Sequence, residues 1–179
     1  MNLKKNFLVI FDMNGVLMSK NVRLNEFFSE VPIPTQSRTV QCLYPSIDLD
    51  LLAKFYSSHS FYIGLWTTVM EKNAKSPYKI LCNLMGIDFD CFLTQENCSV
   101  GEMVGSIKTI YCIKDLRKPS LELDVELKNC VLIDDNEGKR CENQNFLLFD
   151  SSKRDIVRCI KEIDEFIGCT DENCLAKHL

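Results

Sequence analysis

Glycine and proline are sparse, seven and five in 179 residues, which excludes collagen-like and low-complexity organisation. No heptad pattern and no internal repeat is present, so neither a coiled coil nor a repeat array is expected. Positive charge is in deficit: 21 Lys and Arg stand against 25 Asp and Glu, giving a net charge of −4. Nucleic-acid binding needs a basic face, so direct contact with nucleic acid is not expected and any phosphate group must be captured locally. No apolar run approaches the ~20 residues of a membrane span. The opening MNLKKNFLVIFD starts basic, but its apolar run is too short for a secretory signal and ends in a charge. These absences predict a soluble intracellular protein of the cytoplasm or nucleus.

What the chain does have is cysteine, ten in all, and 46% hydrophobic residues. That apolar content suffices for the core of one ordinary domain without a disulfide framework. Cys42, Cys82, Cys91, Cys98, Cys112 and Cys130 are scattered through apolar surroundings with no C-x-x-C pair, a pattern of buried free thiols in a reducing compartment. Cys169, Cys174 and His178 would supply three of the four ligands of a zinc site, but no fourth stands at the required spacing.

Four short apolar runs stand out. FLVIF at 7–11 ends at Asp12, Asn14 and Gly15, FYIGLW at 61–66 ends at Thr67 and Thr68, CVLID at 130–134 ends at Asp134 and Asp135, and FLLF at 146–149 is the fourth. Unbroken runs of this length suit central parallel strands buried on both faces. Leu49, Leu51, Leu52 and Phe55 give the apolar face of a helix before the second run. Residues 70–85 suit a crossover helix on Tyr78, Ile80, Leu81 and Leu84, which Pro77 is expected to kink or break. The segment 151–168 carries the clearest helical pattern: Ser151 or Ser152 as cap, Ile156, Ile160, Ile163 and Ile167 on one face, and Gly168 at its end. Strands alternating with helices predict an α/β fold, with a central parallel sheet flanked by helices. Residues 18–47 read as an insertion after the first strand, a hairpin with a loop, and 91–125 as a mixed segment without assigned elements. One domain over 1–168 and a short tail over 169–179 are expected.

In open α/β sheets ligands bind at the carboxyl ends of the strands. The sequence places Asp12, Asn14, Thr67, Asp134 and Asp135 at such ends. One Asp after a strand is ordinarily a turn or helix cap, Thr67 alone a helix cap, and Lys114 alone a surface charge. The ordered set, Asp, Thr, Lys and then paired Asp-Asp, points to chemistry. Carboxylates converging from different strands repel one another without a cation, and hard oxygen ligands suit magnesium. Response-regulator receivers also combine Asp, Thr and Lys around magnesium, but their acidic pair comes first in the chain. Here it comes last, which excludes that reading.

The order is similar to that of the haloacid dehalogenase superfamily of phosphotransferases. Within it the chain resembles the FCP/SCP group, the phosphatases of the RNA polymerase II carboxy-terminal domain and their NLI-interacting-factor-like relatives. FDMNGVL at 11–17 resembles the first motif, YPSIDLDLLAKF at 44–55 the approach to the second strand, and LWTT at 65–68 the second motif. IKDL at 113–116 resembles the lysine motif and VLIDDNEGK at 131–139 the last motif, so the resemblance runs from about residue 7 to 167. It implies a Rossmann-like haloacid dehalogenase fold with a small insertion or flap over 18–47 and no large cap domain. It implies that Asp12 is the nucleophile and forms an aspartyl-phosphate. It also implies that magnesium is held by Asp12, Asp134 and the carbonyl of Asn14, with Asp135 beside them. Thr67, Thr68 and Lys114 would bind the substrate phosphate.

Two positions depart from that pattern. Active members carry D-x-D where this chain has Asp12-Met13-Asn14, and the second Asp is their general acid and base. Tyr44 stands where relatives carry an arginine before Pro45. The resemblance therefore implies a magnesium-dependent phosphatase for phosphorylated Ser or Thr in a protein, slowed by Asn14. The RNA polymerase II carboxy-terminal domain or another phosphorylated peptide is the implied partner. The alternative is a catalytically inactive phosphoprotein-binding or scaffold protein on the same fold. A third reading, a phosphatase for a small metabolite or a nucleic-acid end, sits poorly with the missing cap and the acidic charge.

Overall fold

The computed structural model describes residues 5–19, 31–33, 41–45, 47–100, 112–153 and 155–168. Four strands lie where the apolar runs predict them: β1 (Leu8–Asp12), then after the insertion β5 (Tyr62–Trp66), β9 (Cys130–Asp134) and β10 (Asn145–Leu148). The insertion supplies β2 (Met18–Ser19), β3 (Val31–Ile33) and β4 (Gln41–Pro45). These pair antiparallel in the order β2-β4-β3, one strand more than a hairpin. The mixed segment contains β6 (Cys91–Leu93) and an antiparallel pair, β7 (Ser99–Val100) with β8 (Cys112–Ile113).

The main sheet has five parallel strands in the order β10-β9-β1-β5-β6. The chain fills one side of β1 first and then returns to the other, so the strand order reverses at β1. That is where open α/β sheets form a ligand crevice. Leu8 pairs with Cys130 and Phe11 with Ile133. The same register carried one residue further brings Asp12 alongside Asp134.

Side chains alternate across each strand, and this divides the core in two. Val9, Phe11, Ile63, Leu65, Val131 and Ile133 face the helices α1 (Leu49–Ser58), α2 (Glu71–Met85) and α4 (Ile156–Gly168). Leu8, Ile10, Cys130 and Leu132 face the opposite side, covered by Leu116 and Val125 at either end of α3 (Arg117–Glu122). Asp12 and Asp134 share the parity of this second set. Their carboxylates therefore turn toward the segment that carries Lys114.

Each helix has a local cause. Asp48 caps α1 by accepting from Leu51 N at 2.9 Å. α2 ends at Gly86, whose φ of +64° is the left-handed conformation that favours glycine. Pro77 does not break α2, which runs without interruption from Glu71 to Met85. Its ring lies on the buried face with Ala74, Leu81 and Met85, where packing offsets the missing backbone donor. The last helix starts five residues later than the sequence pattern suggests. Asp150 accepts from Ser152 N at 3.0 Å and closes a separate turn, whereas Asp155 accepts from Arg158 N at 2.9 Å and caps α4. The face α4 buries is Ile156, Cys159, Ile163 and Phe166, with Ile160 and Ile167 partly buried at its margin.

The seven cysteines whose side chains are described are all free. Burial pushes the thiols of Cys91, Cys130 and Cys159 up to about 12, so they remain protonated core groups. Cys169, Cys174 and His178 lie outside the described residues, as does the side chain of Tyr44. Among the described residues no helix is long and apolar enough to cross a membrane.

Candidate active site

Asp12 is the last residue of β1 and is buried. The chain turns sharply after it: Met18 N donates to Met13 O and Gly15 N to Met18 O, both at 2.8 Å. Gly15 has φ +102°, and a Cβ there would lie 2.1 Å from Asp135 Oδ2. Only glycine lets the first turn pass this close to the acidic pair. Asn14 faces the other way and donates from Nδ2 to Thr67 Oγ1 at 3.1 Å. Thr67, buried just past β5, also accepts from Val69 N at 3.2 Å. Thr68 sits on the adjoining bend, half-buried, and among the described residues no hydrogen bond joins it to the carboxylates.

Lys114 follows β8 and is wholly buried. Its Nζ donates to Asp12 Oδ1, to Asp134 Oδ2 at 2.6 Å and to the Trp66 carbonyl at 3.2 Å, tying together the ends of β1, β5 and β9. A buried ammonium is costly unless paired, and here two carboxylates and a carbonyl pair it. Asp115 beside it accepts from Arg117 and from Gln144 Nε2 at 2.8 Å, and Gln144 Oε1 accepts from Leu116 N at 2.9 Å. These bonds fix the backbone from which Lys114 projects.

Asp134 ends β9, and its Oδ1 accepts from Asn136 N at 2.9 Å. Oxygens of Asp12, Asp134 and Asp135 lie within 4.8 Å of one another. Burial pushes the Asp12 carboxyl above its ordinary range; Lys114 and Lys139 oppose this, and the charge of Asp134 adds to it. Burial likewise raises Asp135, against the pull of Lys139. Three hard oxygen donors this close, on adjacent loops of one crevice, fit a small divalent cation.

The residues singled out from the sequence thus converge, with Thr68 at the margin. Lys139 was not among them. A short 3-10 turn over Glu137–Lys139 folds back on the acidic pair and brings the Lys139 Nζ 3.2 Å from Asp12 Oδ2 and 3.0 Å from Asp134 Oδ1. The sequence signals were its place at the end of VLIDDNEGK and four residues after Asp135, the spacing of one tight turn. Burial works against its charge, but Asp12, Asp134 and Asp135 together hold the ammonium above the ordinary lysine value.

A parallel α/β sheet with an acidic crevice at its strand reversal, bridged by a buried lysine, is the frame of a phosphoryl-transfer protein. The family model for NLI interacting factor-like phosphatases matches residues 7–171, and the chain belongs to that family. The fold is similar to that of the fission yeast RNA polymerase II CTD phosphatase Fcp1 bound to beryllium fluoride, at 16% identity and a TM-score of 0.53. That match covers 97% of this chain and 54% of the Fcp1 chain, so the chain spans about half the length of its structural relative. A second structure of Fcp1, described as an essential RNA polymerase II CTD phosphatase, superposes at 14% identity and a TM-score of 0.48, over 89% of this chain and 50% of the other. No curated protein sequence matches the chain significantly.

Proposed function

We propose that this protein is a magnesium-dependent phosphoric monoester hydrolase for phosphorylated side chains of proteins, with Asp12 as nucleophile. The observation that carries the reading is the convergence of Asp12, Lys114 and Asp134 in one buried crevice at the strand reversal. Asp12, Asp134 and the Asn14 carbonyl would hold magnesium, with Asp135 beside them, and the ion would neutralise charge between phosphate and nucleophile. A carboxylate oxygen of Asp12 attacks phosphorus and the bond to the substrate oxygen breaks, leaving an aspartyl-phosphate and an alkoxide. Lys114, Thr67 and Thr68 hold the phosphate oxygens in line. Water then attacks phosphorus, the Asp12 carboxylate is released and inorganic phosphate leaves.

Asn14 can neither supply the proton the alkoxide needs nor take one from the attacking water, so the first proton comes from solvent and the second is released to it. General acid–base catalysis contributes about 10²- to 10⁴-fold, whereas acceleration of monoester hydrolysis reaches ~10²¹ overall. Its loss slows an enzyme of this kind without abolishing it. The relatives named as CTD phosphatases support a phosphorylated peptide as substrate, with the RNA polymerase II carboxy-terminal domain one candidate. The same Asn14 supports a second reading, a binding protein that recognises a phosphorylated partner without turnover.

The discriminating experiment is release of phosphate from a generic aryl phosphate with magnesium, alongside an Asp12→Asn control. Magnesium-dependent release that vanishes in the control is expected. Absence of release in the intact protein, with phosphopeptide binding retained, would favour the binding protein.

A further inference from the structure

Two lysines enter the crevice and hold different oxygens. Lys114 is fully buried, takes Asp12 Oδ1 and Asp134 Oδ2, and is anchored on the Trp66 carbonyl. Lys139 is 19% exposed, takes Asp12 Oδ2 at 3.2 Å and Asp134 Oδ1 at 3.0 Å, and lies 3.7 Å from Asp135 Oδ1. Those are the three residues whose oxygens cluster closely enough to share one ion. A single ammonium therefore touches the whole carboxylate donor set. Three carboxylates and two ammonium groups leave a formal charge of only −1, so much of the field that would draw a divalent cation is already spent.

The attachment of Lys139 lets its side chain move while its backbone stays. Its carbonyl accepts from Lys114 N at 2.8 Å and its own N–H donates to Asn136 O at 3.1 Å. Four methylenes separate this fixed point from the charge, and the side chain reaches inward from the partly exposed rim. A divalent ion bound to these carboxylates at the ~2.1 Å that magnesium requires would lie close to this ammonium and repel it.

We propose that Lys139 is a tethered cation that occupies the metal position of the metal-free site, so that a divalent ion binds only by displacing its ammonium toward the mouth of the crevice. The proposal rests on the reading of Asp12, Asp134 and Asp135 as metal ligands. Lys139 thereby keeps the acidic cluster folded without metal, lowers its metal affinity, and places a positive charge at the mouth once metal is bound. It acts as a positioning residue, set apart from Lys114 by its exposure and its partners.

The test is a titration with Mn2+ as a spectroscopic probe, free ion being read by electron paramagnetic resonance in the wild type and the Lys139→Met, Lys139→Arg and Asp134→Asn variants. Lys139→Met should bind roughly tenfold more tightly or better, because one nearby positive charge is gone. Lys139→Arg should stay near the wild type, and Asp134→Asn should lose binding. Unchanged or weaker binding in Lys139→Met, with loss in Asp134→Asn intact, overturns this proposal alone. Binding that is absent throughout, or indifferent to Asp134, overturns the metal-site reading and the proposal together. A second measurement needs no variant: acetylation of Lys139 in the wild type, quantified by mass spectrometry, should rise several-fold when Mn2+ is added. Labelling that does not change at saturating Mn2+ overturns the displacement.

Discussion

The Asn14 amide nitrogen lies 3.1 Å from Thr67 Oγ1, so this side chain joins the turn after β1 to the end of β5. A carboxylate in its place could accept from the same hydroxyl and would add a titratable oxygen at the first turn. Leaving-group chemistry then separates two substrates. An aryl phosphate expels a phenolate that needs little protonation, whereas a phosphoserine expels an alkoxide that needs a proton. Asn14→Asp should accordingly raise alkyl-phosphate hydrolysis by roughly 10²-fold or more and aryl hydrolysis by less. Steady-state rates on both substrates, with folding checked by circular dichroism, measure the difference. A variant that folds and binds metal yet gains on neither substrate would rule out the hydrolase reading.

The element that departs most from expectation is α2. A proline inside a helix removes one hydrogen bond and crowds the preceding turn, at about 3 kcal/mol. Yet α2 is continuous, because Ala74, Pro77, Leu81 and Met85 form one buried face. Propensity is local and burial is not, so the first was legible in the sequence and the second was not. The same distinction applies elsewhere. β1, β5 and β9 were legible because strands buried on both faces must be apolar throughout, and the polar residues ending them marked the crevice. β10, an edge strand with Leu148 exposed, showed only the short run FLLF. β6 is only three residues long and gave no comparable signal. The start of α4 was misplaced because Asp150 and Asp155 compete with Ser151 and Ser152 as caps, and sequence alone does not rank them. Lys139 was hidden because a 3-10 turn, rather than a strand end, delivers it to the site. If the proline is tolerated rather than required, Pro77→Ala should restore the backbone bond and stabilise the fold. A gain of about 1 kcal/mol remains after subtracting the entropy proline removes from the unfolded chain, about 0.4–1 kcal/mol, and the lost burial of two ring carbons, about 0.8 kcal/mol each. Urea denaturation measures it, and a loss of stability would show that the ring's packing outweighs the bond.

For the molecule as a whole, the acid limb of stability follows from carboxylates shifted in opposite directions. The hydrogen bonds from Arg117 come first in holding Asp115 down to about 2; burial opposes them, and Gln144 adds to them. Its folded value lies below the ordinary carboxylate value of ~3.9, so the unfolded chain takes up this proton first as pH falls. Asp115 therefore contributes stability that is complete above about pH 4 and is lost as pH drops toward about 2. Asp12 and Asp135, raised chiefly by burial, have the opposite sign: the folded state binds their protons more readily, so acid relieves a penalty they impose at neutral pH. Asp150, held down to about 2 first by its hydrogen bond from Ser152 and then by Lys153, shares the sign of Asp115, as does Glu96, lowered first by Thr94. The fall in stability should thus begin only near pH 4, with Asp115 as one of its carriers. A shift of this size corresponds to about 2.6 kcal/mol by linkage. Because the Arg117 side chain is 65% exposed, solvent screening reduces the share to be expected to about 1 kcal/mol. Asp115→Asn should therefore be less stable than the wild type at pH 6 by about that amount, and the two should converge near pH 2. Chemical denaturation across pH 2–6 in the absence of divalent metal measures both curves. Parallel curves, with the same gap at pH 2 as at pH 6, would show that the Asp115 carboxylate is not held by its partners.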